Sequence, residues 1–582
     1  MTLKVLLLVV LLWSTIYMGL SKPVIGEDGV CSYDPSTGRG GSLASSTWPS
    51  DHGDNSRTKY TCNAGFPKEI DPAKIYMVKQ DKLAGTQWIY TGGEASEHVY
   101  AMGGPPNEIW VAKMDSKTLD IEQEASLDPA LYIGGLLLHQ NGHVYGAHGN
   151  KLYRFRDGDL DRKETIVLPQ TLNGAMLQAN CMVTTTGGLL VVKQWSMVFE
   201  DLGLHFFFVP VIKKLIVAMF ILGAGIASRV MRPPSTTHIK DKAKRAAARR
   251  GWLTFLAQAT YGGCGGLLVL VCLLLGGLRY ILGPYDMAEF LFTNTPLGHK
   301  HNGGGVEVKI LHPDTLEVMG SLFHSERASF GRMSLSKAPD HDEEDALVLI
   351  GDEHIRQFRW VPSEKRLYEK EDWAARYRTR GDGSFPGTGP AIFNGAVYFT
   401  DNTFPVFLSS STYSMFKKDL TSSTATMLST PMVPPGGNPG FMFWSIVVSP
   451  FTNGVMAWDS ANDNVQMRDA DTLELHWKLR AVQSDCATLA ADRGHVYLAD
   501  YSESPGTWQR WGAAVGKESA TSFPDAKKFL IVADVATGNV LLNVTVQDGG
   551  GMKPSLIVPG GNDDVFMAGP KVLTRISMRT SP

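Results

Sequence analysis

The chain has 582 residues, of which 43% are hydrophobic and 19% charged, and it contains 60 glycines. This composition argues against a disordered chain and is typical of a turn-rich β protein with a large buried core. The formal net charge of −3 provides no overall attraction to nucleic acid, so no nucleic-acid partner is expected.

The first residues have the pattern of a secretory signal. Lys4 precedes the apolar run 5–12, and small residues follow near Gly19 and Ser21. We predict that residues 1–21 are either a cleaved signal peptide or an uncleaved signal anchor, and both place the following residues outside the cytosol. Residues 22–71 are rich in Ser, Gly, Thr and Asp, which predicts a poorly ordered lead-in.

The six cysteines include no Cys-x-x-Cys pair, so a zinc ribbon is not expected. Cys31 and Cys62 flank a short N-terminal segment, and they could form a disulfide bond in an oxidising compartment. Cys264 and Cys272 lie in a long apolar run and are predicted to be thiols buried in the membrane.

One short pattern recurs eight times along the chain: a turn, then a run of apolar and aromatic residues, then a small or polar residue. The best copy is 494–501. The copies are 45, 46, 158, 49, 58, 41 and 69 residues apart. Their apolar anchors are Val99, Val144, Leu190, Val348, Val397, Val455, Val496 and Val565. A period of about 40–50 residues is typical of four-stranded propeller blades, so we predict an all-β, eight-bladed β-propeller over residues 72–195 and 305–579.

Other strands can be placed around this repeat. A second apolar run precedes most copies and is predicted to be the innermost strand of each blade. Examples are 135–138, 390–393, 445–448 and 555–558. Third strands that alternate apolar and basic residues predict half-exposed strands. These are 153–156, 356–359 and 414–417.

The ends of the chain must close the ring, because an open edge strand is a pairing hazard. Segments 74–78 and 86–90 are the first predicted strands, and 571–576 is a last strand with no successor. We predict that Trp88-Ile89-Tyr90 supplies the outer strand of the last blade.

Tight turns follow the third strand in four blades, where Asp and Thr side chains can bond the backbone. The turns are 115–121, 312–318, 469–475 and 534–540. Two of them, with Asp534, Thr537-Gly538 and Trp477, resemble the propeller repeat of quinoprotein dehydrogenases, Asp-x-x-Thr-Gly-Lys-x-x-Trp. The resemblance implies an eight-bladed propeller and, as an alternative function, a quinoprotein-like oxidoreductase. Such enzymes typically carry a vicinal Cys-Cys disulfide, and this chain has no adjacent cysteines.

The spacing of 158 residues between Leu190 and Val348 exceeds one period by roughly a hundred residues. We predict an insert over 196–304 that contains two transmembrane helices, about 206–227 and 253–278. The first is about 33 Å long as a helix, which is enough to cross a bilayer core. Its Lys213 and Lys214 would have to reach the interface or line a polar contact. The alternative, two buried core helices, has no place in a propeller.

The loop between the two predicted helices is strongly basic, with Asp241 as its one acid. Its basic residues are Arg229, Arg232, Lys240, Lys242, Lys244, Arg245, Arg249 and Arg250. The positive-inside rule places this loop in the cytosol and the propeller on the other side of the membrane, in agreement with the signal sequence. The loop could also bind anionic lipid headgroups. The insert joins the second and third strands of blade three. We therefore expect the propeller face that carries the connections between second and third strands to look towards the membrane.

Several short motifs could form a functional site or could be ordinary structural or chance features. The run Asp340 to Asp345 could bind Ca²⁺, although a solvated hairpin tip is favoured. His299 and His301 could ligate a metal, but a flexible linker is favoured because no third ligand lies nearby. The tripeptide at Arg380 could mediate adhesion or occur by chance. Asn543-Val544-Thr545 is a glycosylation sequon.

The sequence predicts a membrane-tethered, non-cytosolic propeller that binds or scaffolds a protein partner through one of its faces. The lumen of the secretory pathway, the cell exterior and the periplasm all satisfy this topology. No Gly-x-Ser-x-Gly, Walker or His-Glu-x-x-His motif is present. The quinoprotein-like oxidoreductase remains the alternative, and a transport role for the helical hairpin is a third possibility. The sequence identifies neither a cofactor nor catalytic residues.

Overall fold

The computed structural model describes residues 42–196 and 306–578, with internal gaps. The gaps are 84, 93–96, 105–107, 131–133, 170–176, 325–331, 352, 379–383, 386–388, 404–412, 425, 434–445, 460–461, 482–486, 491, 503–526, 548–555 and 570–571. Eight antiparallel sheets of four main strands make up the described chain, and we number them as blades 1–8.

Within each blade the strands are called inner, second, third and outer. Blade 1 consists of Thr86–Gly92, His98–Gly103, Trp110–Asp115 and Ile121–Ser126. Blade 2 consists of Gly135–Leu138, Val144–His148, Lys151–Phe155 and Lys163–Val167. Blade 3 consists of Leu177–Thr184, Leu190–Ser196, Val306–Leu311 and Val318–His324. Blade 4 consists of Ser334–Lys337, Asp345–Ile350, His354–Val361 and Arg366–Glu369.

The remaining four blades repeat the arrangement. Blade 5 consists of Ala391–Phe393, Ala396–Thr400, Ser414–Asp419 and Leu428–Pro431. Blade 6 consists of Val447–Ser449, Gly454–Asp459, Asn464–Asp469 and Leu475–Arg480. Blade 7 consists of Thr488–Ala490, His495–Tyr501, Lys528–Asp534 and Val540–Gln547. Blade 8 consists of Ile557–Pro559, Asp564–Ala568, Leu573–Ser577 and, as its outer strand, Tyr76–Gln80.

A few short elements lie outside this pattern. The short strands are Tyr60–Thr61, Ala375–Arg376, Ser384–Phe385 and Asn402–Thr403. The 3₁₀ helices are Pro72–Lys74, Arg156–Gly158, Pro362–Glu364 and Glu371–Trp373.

The eight predicted copies of the repeat are the second strands of the eight blades, and the predicted innermost runs supply the inner strands. Their apolar side chains pack between neighbouring blades. For example, Met456 and Trp458 of blade 6 belong to one buried cluster with Val496 of blade 7. The eight-bladed, all-β propeller predicted from the repeat is confirmed.

The four aligned turns connect third and outer strands, as predicted. Asp469 shows the mechanism, because its Oδ1 accepts the N–H of Asp471 and the N–H of Thr472, each at 2.8 Å. The fifth residue of each turn has a left-handed backbone with φ between 60° and 72°: Leu119, Leu316, Leu473 and Gly538. Gly538 suits this conformation best because it has no Cβ, and an added Cβ there would lie 2.8 Å from the Trp477 ring.

The prediction that basic third strands are half exposed is wrong for two of their arginines. Arg154 and Arg359 are 7% and 1% exposed. A fourth strand covers each third strand, and partners from neighbouring segments satisfy the guanidinium groups. Arg154 donates to the Pro313 carbonyl at 3.1 Å, and Arg359 donates to Asp340 at 2.6 Å.

The predicted strand for ring closure is also wrong. Trp88-Ile89-Tyr90 lies in the inner strand of blade 1, while Tyr76–Gln80 pairs with Leu573–Ser577 as the outer strand of blade 8. Both segments contain aromatic and β-branched residues that suit a strand, and their pairing distinguishes them. The inner position takes the fully buried Trp88, Ile89 and Tyr90. The outer position takes the half-exposed residues of Tyr76–Gln80.

The two faces of the propeller differ in their connections. On the turn face, tight turns join inner to second strands and third to outer strands. On the loop face, segments join second to third strands and each blade to the next. These connections include short ones, such as residues 149–150 of blade 2, and the longest ones, such as that between Tyr501 and Lys528 of blade 7. The segment 197–305 leaves and re-enters on the loop face of blade 3, between two strands paired at Trp195 and Val306. Within the ranges described above, no helix is long and apolar enough to span a membrane, and the predicted helices 206–227 and 253–278 lie outside those ranges.

Candidate functional site

The centre of the propeller is occupied by its own N-terminal segment, residues 42–66, which we call the channel segment. Every residue from Trp48 to Cys62 is buried. The expectation of a poorly ordered lead-in over 22–71 is therefore wrong for this part of it. The segment has too few apolar residues to form a core of its own, and it becomes ordered because the inner strands supply partners for its polar groups.

The channel segment follows the ring of inner strands in order, through backbone hydrogen bonds. The N–H of Thr91 in blade 1 donates to the Trp48 carbonyl, and the N–H of Leu138 in blade 2 donates to the Pro49 carbonyl. Asn55, Ser56, Thr58 and Lys59 then meet later blades. Their carbonyl groups accept the N–H groups of Leu335 in blade 4, Ile392 in blade 5, Val448 in blade 6 and Leu489 in blade 7, at 2.8–2.9 Å.

The segment enters and leaves on the turn face. Ser42 lies beside the first turn of blade 2, where its carbonyl accepts the N–H of Gln140. At the other end Tyr60–Thr61 pairs in parallel with the inner strand of blade 7. The N–H of Gly65 then donates to the Gly560 carbonyl of blade 8 at 2.8 Å. The channel segment is therefore a loop that enters the channel from the turn face, returns to that face and closes the channel there.

Asp51 is the most strongly held charge in the channel. Its carboxylate accepts hydrogen bonds from Tyr90 of blade 1 and from Arg332, which precedes the inner strand of blade 4. The Tyr90 hydroxyl also accepts the N–H of Leu136 in blade 2 at 2.8 Å. The side chains of Asp51 and Arg332 are 1% and 4% exposed, so the pair is shielded from solvent. One carboxylate thereby joins three parts of the ring.

Next to the Asp51–Arg332 ion pair, the side chains of His52 and Tyr90 are held in their uncharged forms. The Arg332 guanidinium lies 4.1 Å from the centre of the Trp88 ring, a cation–π contact. Burial lowers the pKa of His52 well below its usual value, and the positive charges of Lys59, Arg57 and Arg332 add to the effect. Burial and the Asp51 carboxylate raise the pKa of Tyr90. His52 and Tyr90 are therefore uncharged near neutral pH.

Arg57 makes the second polar anchor of the segment. Its guanidinium donates to the carbonyl groups of Met333 and Asp51 and lies 2.6 Å from the Cys181 thiol of blade 3. Cys181 is buried and carries a free thiol. The backbones of His52, Arg57 and Lys59 have φ between 56° and 60°, which few side chains adopt without surrounding support. Contacts with the blades therefore dictate the path of the chain here.

The described channel does not fit a quinone cofactor. A small-molecule site is a cavity in which a few polar groups converge on the ligand. Here the carboxylate, guanidinium and phenol groups bond to each other and to the backbone, and the channel segment fills the space between the inner strands. Among the residues described, no three His, Cys, Asp or Glu side chains are grouped to hold a metal ion.

The carboxylates proposed as a possible Ca²⁺ site, Asp340 to Asp345, lie in and after the first turn of blade 4. Asp340 pairs with Arg359 at 2.6 Å and with Lys370 at 2.7 Å. Asp345 is buried and accepts the Thr186 hydroxyl at 2.7 Å. The hairpin tip favoured from the sequence is confirmed. Asp340 and Glu344 form ion pairs, Asp345 makes a strand contact, and Asp342 and Glu343 are exposed.

Two predicted site residues are visible. Cys62 is buried within the channel segment and is disulfide-bonded. Cys31 lies outside the described ranges, so the Cys31–Cys62 pairing stays a prediction. Asn543 is exposed on the outer strand of blade 7.

The basic loop residues 229–250, His299, His301 and the tripeptide at Arg380 fall in parts of the chain that the structure does not describe.

Sequence reasoning missed the groups that organise the channel: Asp51, Asn55, Arg57, Tyr90 and Arg332. Composition could not separate the channel segment from a solvated leader, because both are rich in Ser, Gly, Thr and Asp. One signal was present. The segment combines Trp48, Tyr60 and Phe66 with its polar residues, and aromatic residues are uncommon in disordered segments.

No protein-family model matches the chain, and no curated protein matches it. Similar solved structures include the quinohemoprotein alcohol dehydrogenase from Comamonas testosteroni, with 8% identity and a TM-score of 0.49 over 91% of this chain and 80% of that chain. BamB from Moraxella catarrhalis has 8% identity and a TM-score of 0.40 over 85% and 100%. A europium-containing methanol dehydrogenase has 9% identity and a TM-score of 0.37 over 92% and 89%. At such identities the likeness concerns the propeller fold alone.

Proposed function

We propose that this chain is a membrane-tethered, non-cytosolic propeller that binds or scaffolds a protein partner through its loop face. The observation that carries the proposal is the filled channel. Residues 42–66 take up the hydrogen-bonding groups of the inner strands, so the outer surfaces of the propeller remain for recognition. A propeller supports many functions, and the site rather than the fold must decide between them.

The loop face is favoured because the longer connections gather there. Loops carry recognition more often than the elements that they join. The connection between Tyr501 and Lys528 of blade 7 and the connection between Pro431 of blade 5 and Val447 of blade 6 both begin and end on this side. The turn face consists mainly of tight turns held by their own side chains, such as the Asp469 turn. The loop face therefore has more sequence with which to specify a partner.

Tethering is supported by the sequence of the insert and by where it is attached. The insert leaves after Leu190–Ser196 and returns at Val306–Leu311, two strands that pair with each other. Its two ends therefore lie side by side, as the ends of a helical hairpin require. The two apolar runs and the basic loop between them complete the argument for a hairpin whose loop is cytosolic. The loop face then looks towards the membrane.

Topology is tested on the full chain in sealed membrane vesicles whose cytosolic side faces outward. Trypsin added outside should cut within 229–250 and leave the propeller intact until detergent is added. A protected loop beside a digested propeller contradicts the orientation. Cleavage of both without detergent contradicts tethering as proposed.

Recognition is tested with a photocrosslinking amino acid at two exposed positions on opposite faces. Glu108 lies on the loop face of blade 1, and Glu343 lies on the turn face of blade 4. A discrete protein adduct is expected from Glu108 and none from Glu343. An adduct from Glu343 alone moves the binding site to the turn face and contradicts this part of the proposal.

The oxidoreductase alternative has its own measurement. The detergent-solubilised chain is incubated with pyrroloquinoline quinone and Ca²⁺, freed of unbound quinone, and examined by ultraviolet–visible absorbance. We expect no retained quinone, because Asp51, Arg57, Tyr90 and Arg332 already bond to one another and to the backbone. Stoichiometric retention, with dye reduction in the presence of an alcohol, would establish the enzyme instead.

A further inference from the structure

We propose that Asn543 carries an N-linked glycan, and that this glycan shields the open outer edge of blade 7 from pairing with other chains. The proposal rests on the non-cytosolic location proposed above. It adds a modification site and a physical role for it. The experiment below separates its failure from failure of the location.

The outer strand of blade 7 differs from its counterparts. Val540–Gln547 has 8 residues, and the other outer strands have 4 to 7. It contains no charged residue, no histidine and no proline. Each other outer strand contains at least one of these, such as Glu124 in blade 1 or Pro431 in blade 5. Blade 7 therefore lacks the side chains that usually protect an edge.

The edge is also exposed and apolar. Val540 and Leu541 are 47% and 43% exposed. The inner side of the strand pairs with Lys528–Asp534, where Asn543 lies opposite Ile531. Among the described residues, no strand pairs with its outer side. Long, uncharged, apolar edges with unpaired backbone groups are templates for association.

Asn543 stands near the middle of this strand. Leu541, Asn543 and Thr545 are exposed, while Leu542 and Val546 are buried in a cluster with blade 8. The strand alternation therefore directs both polar members of Asn543-Val544-Thr545 to solvent. This is the one Asn-x-Ser/Thr sequence, with x other than Pro, in all 582 residues. A bulky, hydrated glycan at this position blocks the approach of a second strand.

The chemistry needs a lipid-diphosphate-linked oligosaccharide, which the proposal includes as co-reactant. The Asn543 Nδ2 attacks C1 of the first sugar and forms a C–N bond. The bond between C1 and the diphosphate oxygen breaks, and the lipid diphosphate leaves with the electron pair. One amide proton passes to a base. No oxidation or reduction takes place.

Modification is measured on the full chain expressed in eukaryotic cells. Treatment with peptide N-glycosidase F should increase the mobility of the wild type by one step. Asn543→Gln and Thr545→Ala should migrate at the faster position without treatment, while Thr545→Ser should retain the slower form. Identical mobility of the wild type and Asn543→Gln overturns the proposal.

A matched sequon separates the site from the compartment. Glu124→Asn creates Asn-Ala-Ser on the outer strand of blade 1, where residues 124 and 126 are both exposed. It is made in the Asn543→Gln background. A glycan on this variant, with none on the wild type, supports the non-cytosolic location and contradicts glycosylation at Asn543. If neither chain is modified, both the non-cytosolic location and glycosylation at Asn543 are contradicted.

The role of the glycan is measured by sedimentation of the purified chain in detergent, before and after enzymatic removal under native conditions. Removal should shift the chain to faster-sedimenting species. Leu541→Lys should abolish that shift, because a lysine on the edge replaces the missing protection. Unchanged sedimentation after removal contradicts the shielding role.

Discussion

Asn55 and Thr184 are joined by three hydrogen bonds between the channel segment and the end of the inner strand of blade 3. The Asn55 amide donates to the carbonyl and the hydroxyl oxygens of Thr184 at 2.9 and 2.8 Å. In return it accepts the Thr184 N–H at 3.0 Å. Both residues are fully buried. A side-chain amide thus replaces a backbone partner where the channel segment passes blade 3.

Asn55→Ala should destabilise the propeller because it leaves the buried Thr184 N–H without its partner. An unsatisfied buried group costs about 1–3 kcal/mol, so we expect a loss of about 2–4 kcal/mol once the two bonds donated by the Asn55 amide are included. The midpoint of urea denaturation checks this. Asn539→Ala, at an exposed turn position, is the control and should change stability by less than about 0.5 kcal/mol. Equal effects of the two substitutions would contradict the anchoring role of Asn55.

Gly65→Ala should disrupt the exit of the channel segment. Gly65 has a φ of +77°, and an added Cβ would lie 2.3 Å from the Tyr497 hydroxyl, which accepts the Phe66 N–H at 2.8 Å. Gly395 is a close match, with a φ of +69° and no atom within 4 Å of an added Cβ. Gly395→Ala therefore reports backbone strain alone, about 1–2 kcal/mol. The Gly65 variant should lose clearly more thermal stability, and equal losses would rule out the steric conflict.

Arg575→Met should weaken closure of the ring. Arg575 donates to Asp564 at 2.6 Å, to the Tyr76 hydroxyl at 3.2 Å and to the Lys117 carbonyl at 3.0 Å. It therefore joins blade 8 to its closing strand and to blade 1. Its removal leaves the carboxylate of Asp564 buried and unpaired, a cost of about 3–5 kcal/mol.

Two further variants control the Arg575 prediction. Adding Asp564→Asn should recover part of the stability, because no buried charge remains. Arg366→Met breaks an ion pair with Glu364 in which both side chains are more than half exposed, and it should cost at most about 1 kcal/mol. Chemical denaturation of the four proteins checks both points. A double variant as unstable as Arg575→Met would show that the charge is not the cause.

His148 should make the propeller sensitive to acid. Burial lowers its pKa to about 4, while its Nδ1 accepts the Gly134 N–H at 3.1 Å. In the unfolded chain the pKa is near 6.5. The unfolded state therefore binds the proton first, and stability present above pH 6.5 is lost as the pH falls towards 4. The loss is at most about 3 kcal/mol.

His148→Gln should flatten this part of the stability–pH profile, even if the variant is less stable at pH 8. His341→Gln, at a turn position where the side chain is 61% exposed, is the control for the loss of an imidazole outside the core. Urea denaturation at several pH values from 4 to 8 provides the measurement. A profile with the same slope for His148→Gln and the wild type would sink the assignment.

The repeat could be predicted from the sequence because each second strand packs its apolar side chains between neighbouring blades in the same way. Val348, Val397 and Val496 each carry the apolar side chain of a strand enclosed by neighbouring blades. The closing strand could not be assigned in the same way. Trp88-Ile89-Tyr90 and Tyr76–Gln80 both have residues that suit a strand. They are distinguished by their partners, which are the next strand of blade 1 for the first segment and the last strand of the chain for the second.

By itself, the sequence determined the number of blades, the second strand of each blade and the position of the insert between two strands of blade 3. These features depend on the local pattern of apolar residues and on the spacing of its copies, and both can be seen directly in the sequence. The tertiary structure alone decided that residues 42–66 close the channel. Polar groups such as Asn55 and Asp51 are buried only because blades that are distant in the sequence present complementary groups, and no local pattern encodes these contacts.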